Sequence, residues 1–225
     1  MTGIIIQARM GSTRLPGKIL KKIGNKALLE HILFRLSYLK SEITTVIATT
    51  FNPVDDTVYD FCRDKNINCY RGSEDNVLSR YYECSKLYGF KNIVRLTADN
   101  PFNDIEELDR LIESHIRTCA DYSHSFKVLP AGVGAEIFKF DALEKSYLNG
   151  NKPNHLEHVN EYIQENPSEF NINIFTDVKE SKRHPNIRLT VDTLEDYKKA
   201  CFIVENCQDK FITTEEAVRL CLLYA

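Results

Sequence analysis

Gly3-Ile4-Ile5-Ile6-Gln7-Ala8-Arg9-Met10-Gly11-Ser12-Thr13-Arg14-Leu15-Pro16-Gly17-Lys18 opens this 225-residue chain. The apolar, β-branched run at its start reads as a buried strand over residues 3–8. The loop that follows holds two glycines, two hydroxyls and three cations. Glycine lets the backbone come close enough for N–H groups of Gly11 to Thr13 to point at an anion. Arg9, Arg14 and Lys18 supply countercharge, and arginine adds two-pronged bonding to phosphate oxygens. A first strand running into such a loop predicts a polyphosphate site spanning Ala8 to Lys18.

Charge is distributed to match. Residues 1–29 carry six cations and no Asp or Glu. The chain is −3 overall, so the remaining residues sum to −9. A basic segment in an acidic chain suits a local anion site and argues against a nucleic-acid partner, which needs a broad basic face. Two common phosphate loops do not fit. G-x-G-x-x-G is absent, and five residues separate Gly11 from Gly17-Lys18 where the P-loop has four, with Ile19 in place of its hydroxyl.

Downstream, strand-like and helix-like segments alternate. The apolar spacing of Leu28, Leu29, Ile32, Leu33 and Leu36 predicts a helix, and Thr44 to Thr49 a strand. Asn52-Pro53 opens a helix reaching Asp64. Further strands are expected at 67–70 and 92–96, and further helices at 75–87 and 105–118. This rhythm predicts an α/β fold with a mostly parallel sheet covered by helices. Residues 120–140, punctuated by Pro130, Gly132 and Gly134, break it and read as an inserted β arm. Helices at 141–148, 154–165, 194–206 and 213–223 and strands at 172–176 and 187–191 complete the expectation. With no linker or repeat, residues 1–225 form one domain.

Asp99 follows the apolar strand Ile93 to Leu96, and Asp192 stands in the same relation to Leu189-Thr190-Val191. Carboxylates at the C-terminal edge of a parallel sheet are placed to meet at one Mg²⁺, which uses few protein carboxylates beside substrate phosphates. Each has a plain alternative: an Asx-turn for Asp99 and a helix cap for Asp192. Asp196 is a weaker candidate, expected to face solvent. His155 and His158 lack a completing pair, so zinc is not expected. Seven cysteines without a C-x-x-C pair suit reduced thiols in a cytoplasmic protein, and no apolar stretch reaches membrane-spanning length.

The opening motif Gln7 to Lys18 resembles the cytidylyltransferases that activate sugars, including the 3-deoxy-manno-octulosonate cytidylyltransferases, and most of all their spore coat polysaccharide branch. The resemblance continues in Arg71 to Tyr82, Arg95 to Pro101, Glu157-His158-Val159 and Arg188 to Thr193. It implies a Rossmann-like three-layer nucleotidyltransferase fold. It implies transfer of CMP from CTP to a sugar-like acceptor in surface glycan biosynthesis, with release of pyrophosphate. Asp99 and Asp192 would bind magnesium. Ala8, Arg9, Gly11, Ser12, Thr13, Lys18, Gly72, Ser73 and Arg80 would line the nucleotide pocket. Arg9, Arg14, Lys18 and Asp99 would serve catalysis. Gly134, Glu136 and His158 would lie near the acceptor. Asn76 and Gly134 each stand where relatives commonly carry Asp. The family is commonly a homodimer joined through an insertion like 120–140. Another nucleotide, or a catalytically silent nucleotide-binding partner protein, remains an alternative reading.

Overall fold

Ile4, Ile5 and Ile6 are completely buried because their strand lies at the centre of a sheet with both faces covered. Each such side chain contributes about 1.5–3 kcal/mol by leaving water. The computed structural model describes residues 1–40 and 42–224. β1 (Thr2–Gln7) is followed by a small hairpin, β2 (Lys22–Ile23) and β3 (Lys26–Ala27), and by α1 (Leu28–Leu36). Then come β4 (Thr44–Thr50), α2 (Asp56–Asp64), β5 (Asn68–Gly72), α3 (Val77–Tyr88), β6 (Asn92–Thr97) and α4 (Ile105–Arg117). The second half holds β7 (Tyr122–His124), β8 (Glu136–Lys139), α5 (Phe140–Asn149), α6 (Pro153–Glu157), α7 (Glu161–Glu165), β9 (Ile172–Ile174), α8 (Leu194–Asn206) and α9 (Thr214–Leu223).

Seven strands form the main sheet in the order β5-β4-β1-β6-β8-β7-β9. β5, β4, β1 and β6 are mutually parallel. β8 runs antiparallel to β6 and β7, and β7 pairs with β9 in parallel. Strand alternation sends Ile4 and Ile6 to one face, packed with α1, α4, α8 and α9. Ile5 points to the other face with residues of α3, α5 and α7. The expected three-layer architecture and mostly parallel sheet are therefore present.

Several local expectations need correction. The stretch 120–140 does not stand free as an arm. It supplies β7 and β8, which pair with one another and with β6 and β9 in the main sheet. Residues 187–191 are not a strand. They meet the loop at Ala131 through one bridge and touch Asp99 through Val191 N–H, without joining the sheet. The expected helix 154–165 is two short helices, α6 and α7, separated at His158 to Asn160. Helix α3, expected from residue 75, starts at Val77 and is capped by Asn76, whose Oδ1 accepts the Ser79 N–H at 2.8 Å. Asn caps as well as Asp does, so that departure from relatives leaves the helix start intact.

Candidate active site

The loop after β1 closes on itself at Met10. The Met10 carbonyl accepts the Ser12 N–H at 2.8 Å and the Gly17 N–H at 3.2 Å. Gly17 adopts φ +66°, a left-handed conformation natural to glycine, and turns the chain into the short helix Lys18–Leu20. The Ser12 N–H is thus spent inside the loop. Among the described residues, no hydrogen bond within the chain engages the N–H groups of Gly11, Thr13 or Arg14.

This loop and the C-terminal ends of β1 and β6 enclose a cavity of about 250 Å³. Arg9, Gly11, Ser12, Thr13, Arg14 and Lys18 line one side, with Asp99 and Asp192 opposite. Gln7 and Thr97, the last residues of β1 and β6, also line it and are additions to the residues expected there. Both carry polar side chains at strand ends, the signal that marks Asp99.

Lys18 is the pivot. Its Nζ donates to Asp99 Oδ2 at 2.9 Å, Asp192 Oδ1 at 2.8 Å and the Val191 carbonyl at 2.9 Å. Thr97 Oγ1 donates to the other Asp99 oxygen at 2.6 Å. Arg14 reaches Asp192 at 3.0 Å, and Arg188 pairs with the same carboxylate. Burial alone would raise the Asp192 carboxyl, but Lys18, Arg188 and Arg14 outweigh it and hold it below its ordinary value. No spacing signal marks Arg188 in the sequence, because 187–191 reads as a strand and a strand gives no reason to look four residues ahead.

Two carboxylates converging on one cation are the donor set Mg²⁺ takes when substrate phosphates complete its shell. Among the described residues no cluster of three or more His, Cys, Asp or Glu is placed to hold a metal. Asp192 does not cap α8. Thr193 does, with its hydroxyl accepting the Asp196 N–H. Asp196, expected in solvent, is buried and accepts the backbone N–H groups of Asp192 and Thr193. That box fixes the direction in which Asp192 leaves the backbone.

The remaining candidates lie outside this cavity. Gly72 and Ser73 sit at the end of β5. Ser73 Oγ accepts the Asn76 N–H, and its carbonyl accepts Arg80 Nη1 at 2.6 Å. Arg80 is almost wholly buried under this turn, with Nε and Nη2 unpartnered. Burial pushes its guanidinium below the ordinary value, and Arg9 and Arg95 nearby add to the effect. Glu136 is buried at the start of β8, paired with Arg95 and accepting the Tyr122 hydroxyl at 2.6 Å. Burial works against the Arg95 charge, but Glu136 outweighs it and raises the Arg95 pKa. Both Glu136 oxygens are therefore engaged. Gly134 is buried beside them, and a Cβ there would meet Ser125 Oγ at 2.9 Å and the Phe126 ring at 3.2 Å. An Asp at this position would need this corner rebuilt. His158 is exposed where α6 ends.

Comparison with known proteins gives the family. The sequence model of the cytidylyltransferase family matches residues 3–224. A Methanocaldococcus jannaschii protein of uncharacterized function is 41% identical over 194 residues, covering 86% of this chain and 79% of that protein. The Bacillus subtilis spore coat polysaccharide biosynthesis protein SpsF is 37% identical over 199 residues, covering 86% of this chain and 82% of its own. A solved cytidylyltransferase from Leptospira borgpetersenii superposes with a TM-score of 0.91 at 30% identity, covering 99% of this chain and 94% of that one. A family match along nearly the whole length leads to one conclusion: the chain belongs to the cytidylyltransferase family.

Proposed function

We propose that this protein transfers CMP from CTP to a sugar-like acceptor in surface glycan assembly, releasing pyrophosphate. The observation that carries the reading is Lys18 held between Asp99 and Asp192 in the wall of a cavity that Arg9 and Arg14 also line. Family membership supports the nucleotide, and the spore coat polysaccharide name of the Bacillus subtilis relative supports the acceptor class.

The chemistry is positioning and charge neutralisation. An acceptor oxygen attacks the α-phosphorus, the α–β phosphoanhydride bond breaks, and the electron pair leaves with pyrophosphate. The N–H groups of Gly11, Thr13 and Arg14 hold phosphate oxygens. Arg9, Arg14 and Lys18 offset the charge that grows on the leaving pyrophosphate. Asp99 and Asp192 would hold Mg²⁺, which when bound supplies further neutralisation at phosphate oxygens.

The test is pyrophosphate release. CTP, UTP, GTP and ATP are each offered with a panel of phosphorylated, acidic and amino sugars, with and without Mg²⁺. Release that needs both CTP and an acceptor is the expected result. Release with another nucleotide would reassign the base. Binding of CTP without release from any acceptor would favour a silent partner protein.

A further inference from the structure

Asp55 ends the 3-10 turn Pro53–Asp55 that leads into α2 and whose cap is Asn52, which accepts the Val54 N–H at 3.1 Å. The Asp55 side chain makes no capping bond to α2. Its carboxylate instead leaves the helix and accepts the Met10 N–H at 2.6 Å, 45 residues earlier in the chain. The other oxygen accepts the Thr50 hydroxyl at the end of β4. The Thr50 oxygen in turn accepts the Asn52 N–H at 3.1 Å. Asp55 is 1% exposed. A buried carboxylate is costly unless its oxygens are bonded, and here both are.

The target of this bond is the peptide on which the phosphate loop closes. The Met10 carbonyl holds Ser12 and Gly17, and Lys18 follows Gly17 directly. From the β4 side, Asp55 therefore fixes the point where the ring begins and ends. We infer that Asp55 is a positioning residue for polyphosphate binding. It acts through Met10 and sets where the free N–H groups and the Lys18 ammonium point, without touching substrate. Preorganised donors bind an anion without the cost of ordering a loop, and that preorganisation is what Asp55 supplies.

The inference rests on the phosphate-loop reading above, and the experiment separates the two. CTP and inorganic tripolyphosphate are titrated calorimetrically into the full-length wild type, Asp55→Ala, Asp55→Asn and Thr50→Val. Amide exchange at Met10, Ser12 and Gly17 is followed by NMR. Asp55→Ala should weaken both ligands about tenfold or more and speed exchange at those three amides. Asp55→Asn keeps an acceptor for Met10 and should restore affinity to within about threefold of wild type. Thr50→Val, which keeps Asp55 but loosens it, should weaken binding by a few-fold and serves as the test if Asp55→Ala does not fold. Wild-type affinity in Asp55→Ala, or in Thr50→Val should it be the only folded variant, overturns the inference. So does an Asn variant as weak as the Ala variant, since charge and not the tether would then be the cause. A wild type that binds neither ligand overturns the phosphate-loop reading, and the tether falls with it.

Discussion

Lys18 Nζ lies 2.8 Å from Asp192 Oδ1, although 174 residues separate them. The same ammonium bonds Asp99, so one cation bridges two carboxylates, the second of which also pairs with Arg14 and Arg188. The lysine belongs to the phosphate loop and the aspartates to the opposite wall. This contact is what draws the two walls together.

Lys18→Ala should lower turnover by roughly 10²–10³-fold, the usual loss for one charge-stabilising donor. It should also lower the melting temperature of the nucleotide-free protein, because Asp99 loses its paired cation while Asp192 keeps only Arg14 and Arg188. Mg²⁺ should raise that melting temperature more in the variant than in the wild type. Near-normal turnover would remove Lys18 from the site.

Asp99→Asn and Asp192→Asn should each reduce activity by about 10² or more if both carboxylates serve one cation. The double variant should cost little beyond the worse single one, since residues acting as a unit are not additive. Measuring the Mg²⁺ concentration for half-maximal rate in each single variant checks the point. An unchanged requirement in both would dissociate the pair from metal.

Gly132→Ala tests the strap that carries Asp192. Gly132 adopts φ +90°, and a Cβ there would meet the Thr190 backbone nitrogen at 2.6 Å. Neither the backbone nor the neighbour can yield cheaply. We expect a loss of about 2 kcal/mol or more. Activity should fall further than stability explains, as residues 187–192 move. Chemical denaturation and turnover at a temperature where the variant is folded would measure both.

His115 sets an acid limit on stability. Its ring is buried on α4, with Nδ1 against Ser123 Oγ at 2.8 Å and Nε2 unpartnered. Burial lowers its pKa from 6.5 to about 4, with Lys139 adding to the effect and Asp121 opposing it. Below pH 6.5 the unfolded chain takes up a proton that the folded chain refuses, so stability falls as pH drops from 6.5 towards 4. The contribution lost over that window is on the order of 3 kcal/mol. Denaturant melts across the window should show a shallower pH slope in His115→Gln. Equal slopes in variant and wild type would refute it.

Local patterns in the sequence make much of this protein legible. Three consecutive isoleucines mark an interior strand, and the spacing of Leu28, Leu29, Ile32 and Leu36 faces a core only as a helix. Gly11, Gly17 and three cations after β1 announce an anion. Strand-end position marks Asp99. Such signals survive in sequence because backbone propensity and burial periodicity act over a few residues. The tertiary structure decides the rest. The β-branched run around Leu189 has the composition of a strand, yet its partners are the loops at Ala131 and Asp99, so it never enters the sheet. Asp55 has the sequence setting of an ordinary helix-start residue, and only packing of β4 against β1 brings it to Met10. Lys18 meets Asp99 and Asp192 across gaps of 81 and 174 residues, where no spacing rule operates. Side-chain pairing over such distances is fixed by how the layers stack, and stacking is a property of the whole chain.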